Sequence, residues 1–436
     1  ASAIGSQGST SITLDSTDLS TASGDDSQIA TVSSRQLEDG PLVQSQVLVV
    51  GAPGAFGIVA SGDLIDATVT VSDNTLSSFT AANFATNSLG VTGTDYGSTN
   101  VADSWATLDF FHGGMLTFES SAEFTLNNIQ QAFNPDAVYT ASVTGGAVGI
   151  ALTGAVLGDI IVDSVVVVSG NEANADARGN YAINTLGLTG FSALSTSAGL
   201  HNVQGVVGDV GATVLEFEVG IEADLYGTDG SVLTVSGNSA TARAIGNTAF
   251  NVLAVAATDL GGNAGPGLIS KDALTVYAPY TVEADYALAS WQGMTGSVSA
   301  AATGMYVIDL NDGGITNVVD SSVLSMTDNS ILAVAQSNSV WNALDITATT
   351  ASGATGALFS EQRAGDGNAP LSATASAGAG SDFVTAGIVT ELLFNTPVTV
   401  ADNSVTAIAG GNVATNALSV NITADLAGGI APNPNG

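Results

Sequence analysis

A gapless pattern of three asparagines and a leucine occurs five times in the 436-residue chain and constrains its fold more than any other feature. The three asparagines are separated by eight and then three residues, and the leucine follows two positions later. The copies are Asn74, Asn83, Asn87 and Leu89; Asn171, Asn180, Asn184 and Leu186; Asn238, Asn247, Asn251 and Leu253; Asn329, Asn338, Asn342 and Leu344; and Asn403, Asn412, Asn416 and Leu418. They begin 97, 67, 91 and 74 residues apart, which indicates an imperfect unit of about 80 residues.

A second pattern precedes each copy: an apolar residue, three further positions and a glutamine. The pairs are Val32 and Gln36, Leu126 and Gln130, Leu200 and Gln204, Leu288 and Gln292, and Leu358 and Gln362. The interval from each glutamine to the first asparagine is 38, 41, 34, 37 and 41 residues. This near-constant interval indicates that both patterns belong to one unit.

Apolar residues alternate with polar ones around each Asn pattern, as in a β-strand with one buried face. Apolar residues lie five and three positions before the first Asn, and again 2, 15 and 17 positions after it. The parity changes just before the first Asn and again before the second, which we interpret as three short strands joined by tight corners. The asparagines then face inward and bond backbone groups that the corners leave unpaired.

Three strands in roughly 23 residues around a narrow interior predict one coil of an elongated, all-β solenoid. Each unit would hold three to four coils, and 18 to 20 coils would form a rod on the order of 90 Å long. Because the Asn pattern occurs once per unit, its ladder would be intermittent. An alternative is that each unit forms a small antiparallel hairpin module.

The predicted organisation has three parts. Residues 1–31 form an N-terminal strand segment that could join subunits, and residues 425–436 form a flexible tail. The five-repeat solenoid spans residues 32–424, with units near 32–91, 126–188, 200–255, 288–346 and 358–420. Thr10–Leu14 and Asn416–Ala424 are strand-like, so strand addition could join copies end to end.

Charge and composition restrict the partners and the location. The chain has 40 acidic side chains against five basic ones and no cysteine. Nucleic-acid binding needs clustered Lys and Arg, and is therefore not expected. The uncharged stretch 137–158 is interpreted as buried strands, so membrane insertion is not expected either. A chain that begins at Ala1 suggests that a signal peptide has been removed, and hence an extracellular or cell-surface location.

Catalytic chemistry is not expected. The two histidines, His112 and His201, lie in no recognisable motif, and His201 is interpreted as a loop or surface residue. Oxygen-rich turns could bind calcium, or could be ordinary Asp-Gly turns. The candidate calcium ligands are Asp224, Asp229, Asp309 and Asp312. No other cofactor is expected.

From Gln36 to Leu418, the Gln- and Asn-punctuated, cation-poor repeats resemble secreted bacterial β-solenoid fibre proteins. They are similar in style to curlin subunits and to the holdfast-anchor adhesins of stalked bacteria. The resemblance implies an extracellular, polymerising or adhesive role. The leading hypothesis is a secreted subunit that polymerises with itself, head to tail, into an extracellular filament or biofilm matrix fibre. Alternatives are a cell-surface adhesin or surface-layer protein that contacts polysaccharide, and a carbohydrate-active β-helix enzyme using paired carboxylates.

Overall fold

The structure is a computed structural model that describes most of the chain. The described residues are 1–20, 30–49, 56–97, 103–110, 114–145, 148–153, 160–193, 196–224, 226–262, 267–271, 280–310, 317–364, 370–377 and 386–424. Every regular element among these residues is a β-strand. The predicted all-β class is therefore confirmed, whereas the predicted tail at 425–436 lies outside the described residues.

The strands of the first half are β1 Ser2–Ser20, β2 Ala30–Glu38, β3 Leu42–Leu48, β4 Phe56–Ser61, β5 Leu64–Ile65, β6 Thr68–Ser72, β7 Thr75–Gly97, β8 Asp103–Phe110, β9 Gly114–Ser121, β10 Phe124–Ala132, β11 Val138–Thr144, β12 Val148–Thr153, β13 Ile160–Val162, β14 Val165–Ser169, β15 Glu172–Ala193, β16 Ala198–Val207 and β17 Asp209–Asp224. Those of the second half are β18 Gly227–Asp229, β19 Val232–Ser236, β20 Ser239–Gly261, β21 Gly267–Lys271, β22 Tyr280–Ala284, β23 Tyr286–Thr295, β24 Val298–Asp309, β25 Val318–Asp320, β26 Val323–Thr327, β27 Ser330–Ser352, β28 Gly356–Ala364, β29 Leu371–Ala377, β30 Ala386–Val389, β31 Leu392–Phe394, β32 Val398–Ala401 and β33 Ser404–Ile422.

Five parallel sheets contain most of these strands. The Asn sheet has the order β1-β7-β15-β20-β27-β33, and the Gln sheet has the order β2-β10-β16-β23-β28. The third sheet is β29-β24-β17-β11-β3, extended by β30, β12 and β4. The fourth is β31-β25-β18-β13-β5 and the fifth is β32-β26-β19-β14-β6. The chain visits the sheets in this sequence and returns to the Asn sheet one strand further along.

Each repeat unit adds one strand to each parallel sheet, except that three units add two consecutive strands to the third sheet. The hydrogen-bonded neighbours Asn83, Asn180, Asn247, Asn338 and Asn412 of the Asn sheet are 97, 67, 91 and 74 residues apart, which is the length of a whole unit. The predicted coil of roughly 23 residues, with three to four coils per unit, is therefore wrong. The Asn pattern indicates a strand and a corner, but not how far away in the chain its neighbour lies.

A sixth sheet, β22-β21-β9-β8, is antiparallel and explains the two longest units. Its strands come from the segments between β7 and β10 and between β20 and β23. The other units connect the Asn sheet to the Gln sheet more directly. Antiparallel pairing among the described strands is confined to this sheet, so the alternative of one antiparallel hairpin module per unit is wrong.

The two predicted parity changes are present but differ from each other. The first is a turn whose left-handed residue, immediately before the first Asn, is Asp73, Gly170, Gly237, Asp328 or Asp402, with φ between 55° and 65°. The second lies inside one continuous strand, so the Asn element does not contain three separate short strands. There β15 pairs Arg178 with Ile245 and then Asn180 with Asn247, omitting Gly179. This bend brings two consecutive residues inward.

The interior contains two main apolar clusters. The larger is formed by inward residues of the third, fourth and fifth sheets and the first part of the Asn-sheet strands, where small alanines such as Ala175 and Ala177 fit. The smaller joins the later part of those strands to the Gln sheet through Leu89, Leu186 and Leu200. Between these parts of the Asn-sheet strands lie the second and third asparagines.

Candidate functional site

The first asparagines of the five patterns form a continuous ladder along the turns that precede the Asn sheet. Asn74 Nδ2 donates to Asn171 Oδ1 at 2.9 Å, and the same contact joins Asn171 to Asn238 at 2.9 Å. The same oxygens accept the backbone N–H of the preceding Asn, as from Asn171 to Asn238 at 3.0 Å. Asn329 and Asn403 continue the ladder. As predicted, these side chains satisfy backbone groups at a corner, although the residue before each Asn has the left-handed conformation.

The second asparagines form the most regular ladder. Asn83, Asn180, Asn247, Asn338 and Asn412 are joined by Nδ2–Oδ1 hydrogen bonds of 2.7–2.8 Å. Asn180 Nδ2 also donates to the Gly205 carbonyl of the Gln sheet at 2.9 Å, and Asn247 Nδ2 to the Gly293 carbonyl at 2.9 Å. The ladder therefore fastens the bend of each Asn-sheet strand to the Gln sheet.

The third asparagines, Asn87, Asn184, Asn251, Asn342 and Asn416, are joined by Nδ2–Oδ1 contacts of 2.8–2.9 Å. The Gln sheet contributes a parallel row opposite them. Asn87 Nδ2 also donates to Asn128 Oδ1, and Asn184 Nδ2 to Asn202 Oδ1. The Nδ2 groups at these positions are thus paired inside the apolar interior, where an unpaired amide would be costly.

The five glutamines form a fourth ladder in the Gln sheet. Gln130, Gln204, Gln292 and Gln362 each donate through Nε2 to the preceding glutamine, with distances of 2.6–2.7 Å, beginning at Gln36. Most also bond a carbonyl of the Asn sheet, as Gln204 Nε2 does with Thr248 at 2.9 Å. The second sequence pattern therefore marks a real structural position.

Burial follows the sequence expectation except at the two ends of the ladders. Asn83, Asn87 and the asparagines of the three middle copies are buried. Asn74 and Asn403 are half-buried, whereas Asn412 and Asn416 are exposed on the last strand, β33. Gln362 is half-buried, and the other four glutamines are buried. The exceptions lie where a sheet has no further strand.

The ladders have opposite polarities. In the Asn ladders each Nδ2 points toward the C-terminal neighbour, whereas in the Gln ladder each Nε2 points toward the N-terminal neighbour. At the N-terminal end, Asn83 Oδ1 and Asn87 Oδ1 are buried and accept no hydrogen bond. The strand beside them, β1, presents Ser6 and Thr10 at the matching positions.

The C-terminal end of the parallel sheets exposes inward-facing apolar side chains. Leu393, Val398, Val400, Val405, Leu418 and Val420 are 42–52% exposed on the last strands. Their neighbours one strand back are Val319, Leu324, Met326, Ile331, Leu344 and Ile346, which are at most 1% exposed.

The N-terminal end is better covered. Val32, Val43, Val71 and Leu76 are at most 8% exposed. The strand β1 contributes to this cover, because Ile12 and Leu14 pack against the smaller core cluster and Ala3 against the larger one. At the equivalent positions Val71 and Val400, and Leu76 and Val405, the C-terminal residue is therefore much more exposed than the N-terminal one.

A serine ladder was not predicted from the sequence. The hydroxyls of Ser164, Ser231 and Ser322 accept the backbone N–H of the preceding copy's equivalent residue, each at 3.1 Å. The residue before each position is left-handed, with φ between 48° and 60°, and is Asp66, Asp163, Gly230, Ser321 or Asn395. Aligning the units eight positions before the first Asn would have revealed this run of turn-forming residues.

The interpretation of His201 as a loop or surface residue is wrong. It lies in β16, beside Asn127 and Ala289, and is only 3% exposed. Desolvation lowers the pKa of its imidazole to about 3. The other histidine, His112, lies outside the described residues.

The calcium prediction remains a prediction. Asp229 is exposed and Asp309 is half-buried, whereas Asp312 lies outside the described residues. Asp224 ends β17. The part of the chain that the structure describes contains no group of three or more acidic or histidine side chains placed to hold a metal ion.

Comparison with known proteins adds no relative. No protein-family model matches the chain, and neither the curated proteins nor the solved structures give a significant match. Within the described ranges, no helix has the length and apolar character needed to span a bilayer.

Proposed function

We propose that the protein is a structural subunit that assembles end to end into an extracellular filament. The observation that carries this proposal is the pair of open sheet ends. Among the described strands, the last ones, β28, β29, β31, β32 and β33, each have a neighbour on one side only, and the first strands are unpaired on the opposite side. Both ends present the same sheets in the same order, so a second copy can extend them with parallel pairing.

The apolar surface at the C-terminal end favours a stable junction. Leu418 is 52% exposed, whereas Leu344 beside it is fully buried. If a second copy covered the exposed apolar residues of the last strands, each would become buried like its register partner one strand back. Burial of a leucine side chain contributes roughly 1.5–3 kcal/mol. The exposed apolar residues therefore provide the driving force that unpaired backbone alone would lack.

The finer fold in this proposal is a β-solenoid with one repeat unit per coil. The five sheets are the walls of the coil, and the Asn and Gln ladders run along its axis. With about 4.8 Å between neighbouring strands, five coils extend about 24 Å along the axis. A long fibre would therefore require many copies, and residues 32–424 would form one continuous body.

Charge supports lengthwise over lateral association. Among the residues whose exposure is described, Glu123 and Asp285 are the only buried carboxylates. With 40 acidic and five basic side chains in the chain, the lateral surfaces of neighbouring filaments would repel each other. The ends meet through backbone groups, amides and apolar side chains, so they avoid most of this repulsion.

Electron microscopy of the purified chain tests the proposal. Negative-stain images at neutral pH, taken over a series of protein and calcium concentrations, should show unbranched filaments of uniform width. Their length should increase with protein concentration. If only single particles of uniform size form at every concentration tested, end-to-end assembly is contradicted. The calcium series also tests whether divalent ions affect assembly by screening the carboxylates.

A further inference from the structure

We infer that copies join by strand exchange: β33 of one copy displaces β1 of the next copy and pairs with β7 in its place. This inference rests on the proposed end-to-end assembly and specifies how the junction forms. The strand β1 would then act as a replaceable cover of the N-terminal end. The occupant that replaces it is a second copy of this chain.

The topology gives the first argument. The Asn sheet has six strands along its path, because β1 begins it and β33 ends it, whereas the Gln, fourth and fifth sheets have five. When a second copy places its β2 beside β28 and its β6 beside β32, its β7 comes directly beside β33. In the free molecule that place beside β7 is occupied by β1. The two strands therefore compete for a single place beside β7.

Keeping β1 would leave a gap. If β1 of the second copy instead added to the free edge of β33, the Asn sheet would continue. The Gln, fourth and fifth sheets would then each lack one strand at the junction, because they are one strand shorter. The exposed apolar residues of β31 and β32 would remain uncovered. Exchange is the arrangement that continues every parallel sheet.

The buried amides of β7 give an independent argument. Asn83 Oδ1 and Asn87 Oδ1 are buried and accept no hydrogen bond from the described residues, and the shorter side chains of Ser6 and Thr10 lie at the matching positions of β1. At the same two register positions β33 carries Asn412 and Asn416, whose Oδ1 atoms accept from Asn338 and Asn342 within their own copy, so that their Nδ2 groups can donate to a following strand. The incoming strand therefore supplies the donors that these two oxygens lack.

The polarity of the ladders is correct for this exchange. Each Asn Nδ2 points toward the C-terminal neighbour, so Asn412 and Asn416 would donate across the junction to Asn83 and Asn87 of the next copy. Each Gln Nε2 points the opposite way, so Gln36 of the next copy would donate to Gln362 Oε1. No amide would need to reverse its orientation.

The incoming strand covers a different part of β7 than β1 does. Paired residues of β1 and β7 begin at Ser2 and Phe79 and end at Ser20 and Gly97. Aligned through the shared register, β33 would begin at Ser404 opposite Thr75, and Val405 would lie beside Leu76. The exchange thus adds pairs at the beginning of β7, next to the turn that carries the first Asn, and gives up the last pairs, from Asp95 to Gly97.

A reversible covalent lock on β1 tests the exchange. Ser9 and Thr86 are register partners in β1 and β7, and both side chains lie on the outer face. Neighbouring strands bring such pairs within the Cα separation that a disulfide needs. The chain has no cysteine, so Ser9→Cys with Thr86→Cys introduces the only thiols. The oxidised full-length variant should remain monomeric, and reduction should restore filaments.

The matched control places a disulfide where it cannot hold β1. Thr86 and Ile183 are register partners in β7 and β15. Oxidised Thr86→Cys with Ile183→Cys should therefore assemble like wild type, and circular dichroism should show that both locked variants are folded. If the oxidised Ser9–Thr86 variant forms filaments at the wild-type rate, strand exchange is wrong while end-to-end assembly stands. If neither wild type nor any variant assembles, the proposed function fails, and the exchange with it.

The axial rise per subunit gives a second measurement. Exchange advances each copy by five strand spacings, or about 24 Å, whereas addition of β1 to β33 advances it by six, or about 29 Å. Electron cryomicroscopy of wild-type filaments separates these values. A rise near 24 Å supports exchange, and a rise near 29 Å contradicts it.

Discussion

The N-terminal and C-terminal ends of the parallel sheets are cross-sections of the same repeat, yet they differ in how they meet solvent. At the N-terminal end, Val71 is 7% exposed, and β1 covers the edge of the Asn sheet. At the C-terminal end, the equivalent Val400 is 50% exposed, and β33 has no strand beyond it. Because every strand of a parallel sheet has the same two edges, the last strand of one copy matches the first strand of another. A difference in exposure between the two ends favours assembly in one direction.

The ladders show the same difference in polar form. In the middle copies every ladder amide bonds to a neighbour on each side, as Asn247 does with Asn180 and Asn338. At the covered end, two buried acceptors have no donor. At the open end, the matching amides are exposed, so water can satisfy them. The N-terminal end therefore has buried amide oxygens without a donor, and the exposed amides of the C-terminal end can supply one.

The largest expected effect on stability and assembly comes from a charge placed at the leucine of the repeated Asn pattern. Leu253→Asp should unfold the protein, with a loss of more than about 4 kcal/mol, because an unpaired carboxylate would lie in a fully buried site. Leu418→Asp should change monomer stability by less than about 1 kcal/mol, since Leu418 is 52% exposed. It should nevertheless raise the critical concentration for filaments by about a hundredfold or more. Thermal unfolding and sedimentation measure the two quantities.

A similar loss of stability in both variants would contradict the comparison between the ends. Normal assembly by Leu418→Asp would show that the exposed apolar residues of the last strands do not form the junction. The conservative variant Leu418→Val keeps an apolar side chain and should assemble almost normally.

A smaller effect is expected from the ladder amides. Asn180→Ala should destabilise the monomer by about 1–3 kcal/mol, because it removes bonds to Gly205 and Asn247 and leaves the Asn83 amide without its acceptor. Asn412→Ala, at the same position of the open end, should cost less than about 1 kcal/mol in the monomer. Denaturant unfolding of the two variants measures the difference, and equal losses would mean that burial does not decide the role of the ladder.

The sequence predicted the local features of the Asn-sheet strands well. The parity of the apolar residues correctly placed Asn180 and Asn184 inside, and it located both the turn before Asn171 and the bend at Gly179. These features depend on residues close in the chain. The near-constant interval from the Gln pattern to the Asn pattern likewise reflected a real alignment of both ladders.

Long-range features were predicted poorly. A strand pattern does not state which strand lies beside it, so the neighbouring strand was expected roughly 23 residues away rather than a whole unit away. The antiparallel sheet of β8, β9, β21 and β22 was missed because its segments carry neither repeat pattern. The prediction for residues 1–31 gave a strand but not its place in the Asn sheet, because Ser6 and Thr10 do not resemble the asparagines whose register positions they share.

The smallest effect concerns a titratable group in the buried middle of the Gln sheet. Burial lowers the pKa of His201 to about 3, from about 6.5 in an unfolded chain. Between these two pKa values the imidazole binds a proton in the unfolded state but not in the folded state. The free energy of unfolding therefore decreases as the pH falls below about 6.5. The free energy of unfolding should decrease by about 1–2 kcal/mol between pH 7 and pH 5 through this group.

His201→Ala, which copies the residue at the equivalent Ala289, should remove this part of the pH dependence while leaving the contribution of the carboxylates. The matched control is Phe359→His in the His201→Ala background. It places an imidazole at the same register position of β28, the last strand of the Gln sheet, where the side chain is half-buried. That imidazole should titrate nearer its ordinary pKa and restore little of the slope. Urea unfolding of the monomer from pH 5 to pH 7 measures all three slopes; identical slopes for wild type and His201→Ala would show that the middle of the sheet accommodates a charge as readily as its open end.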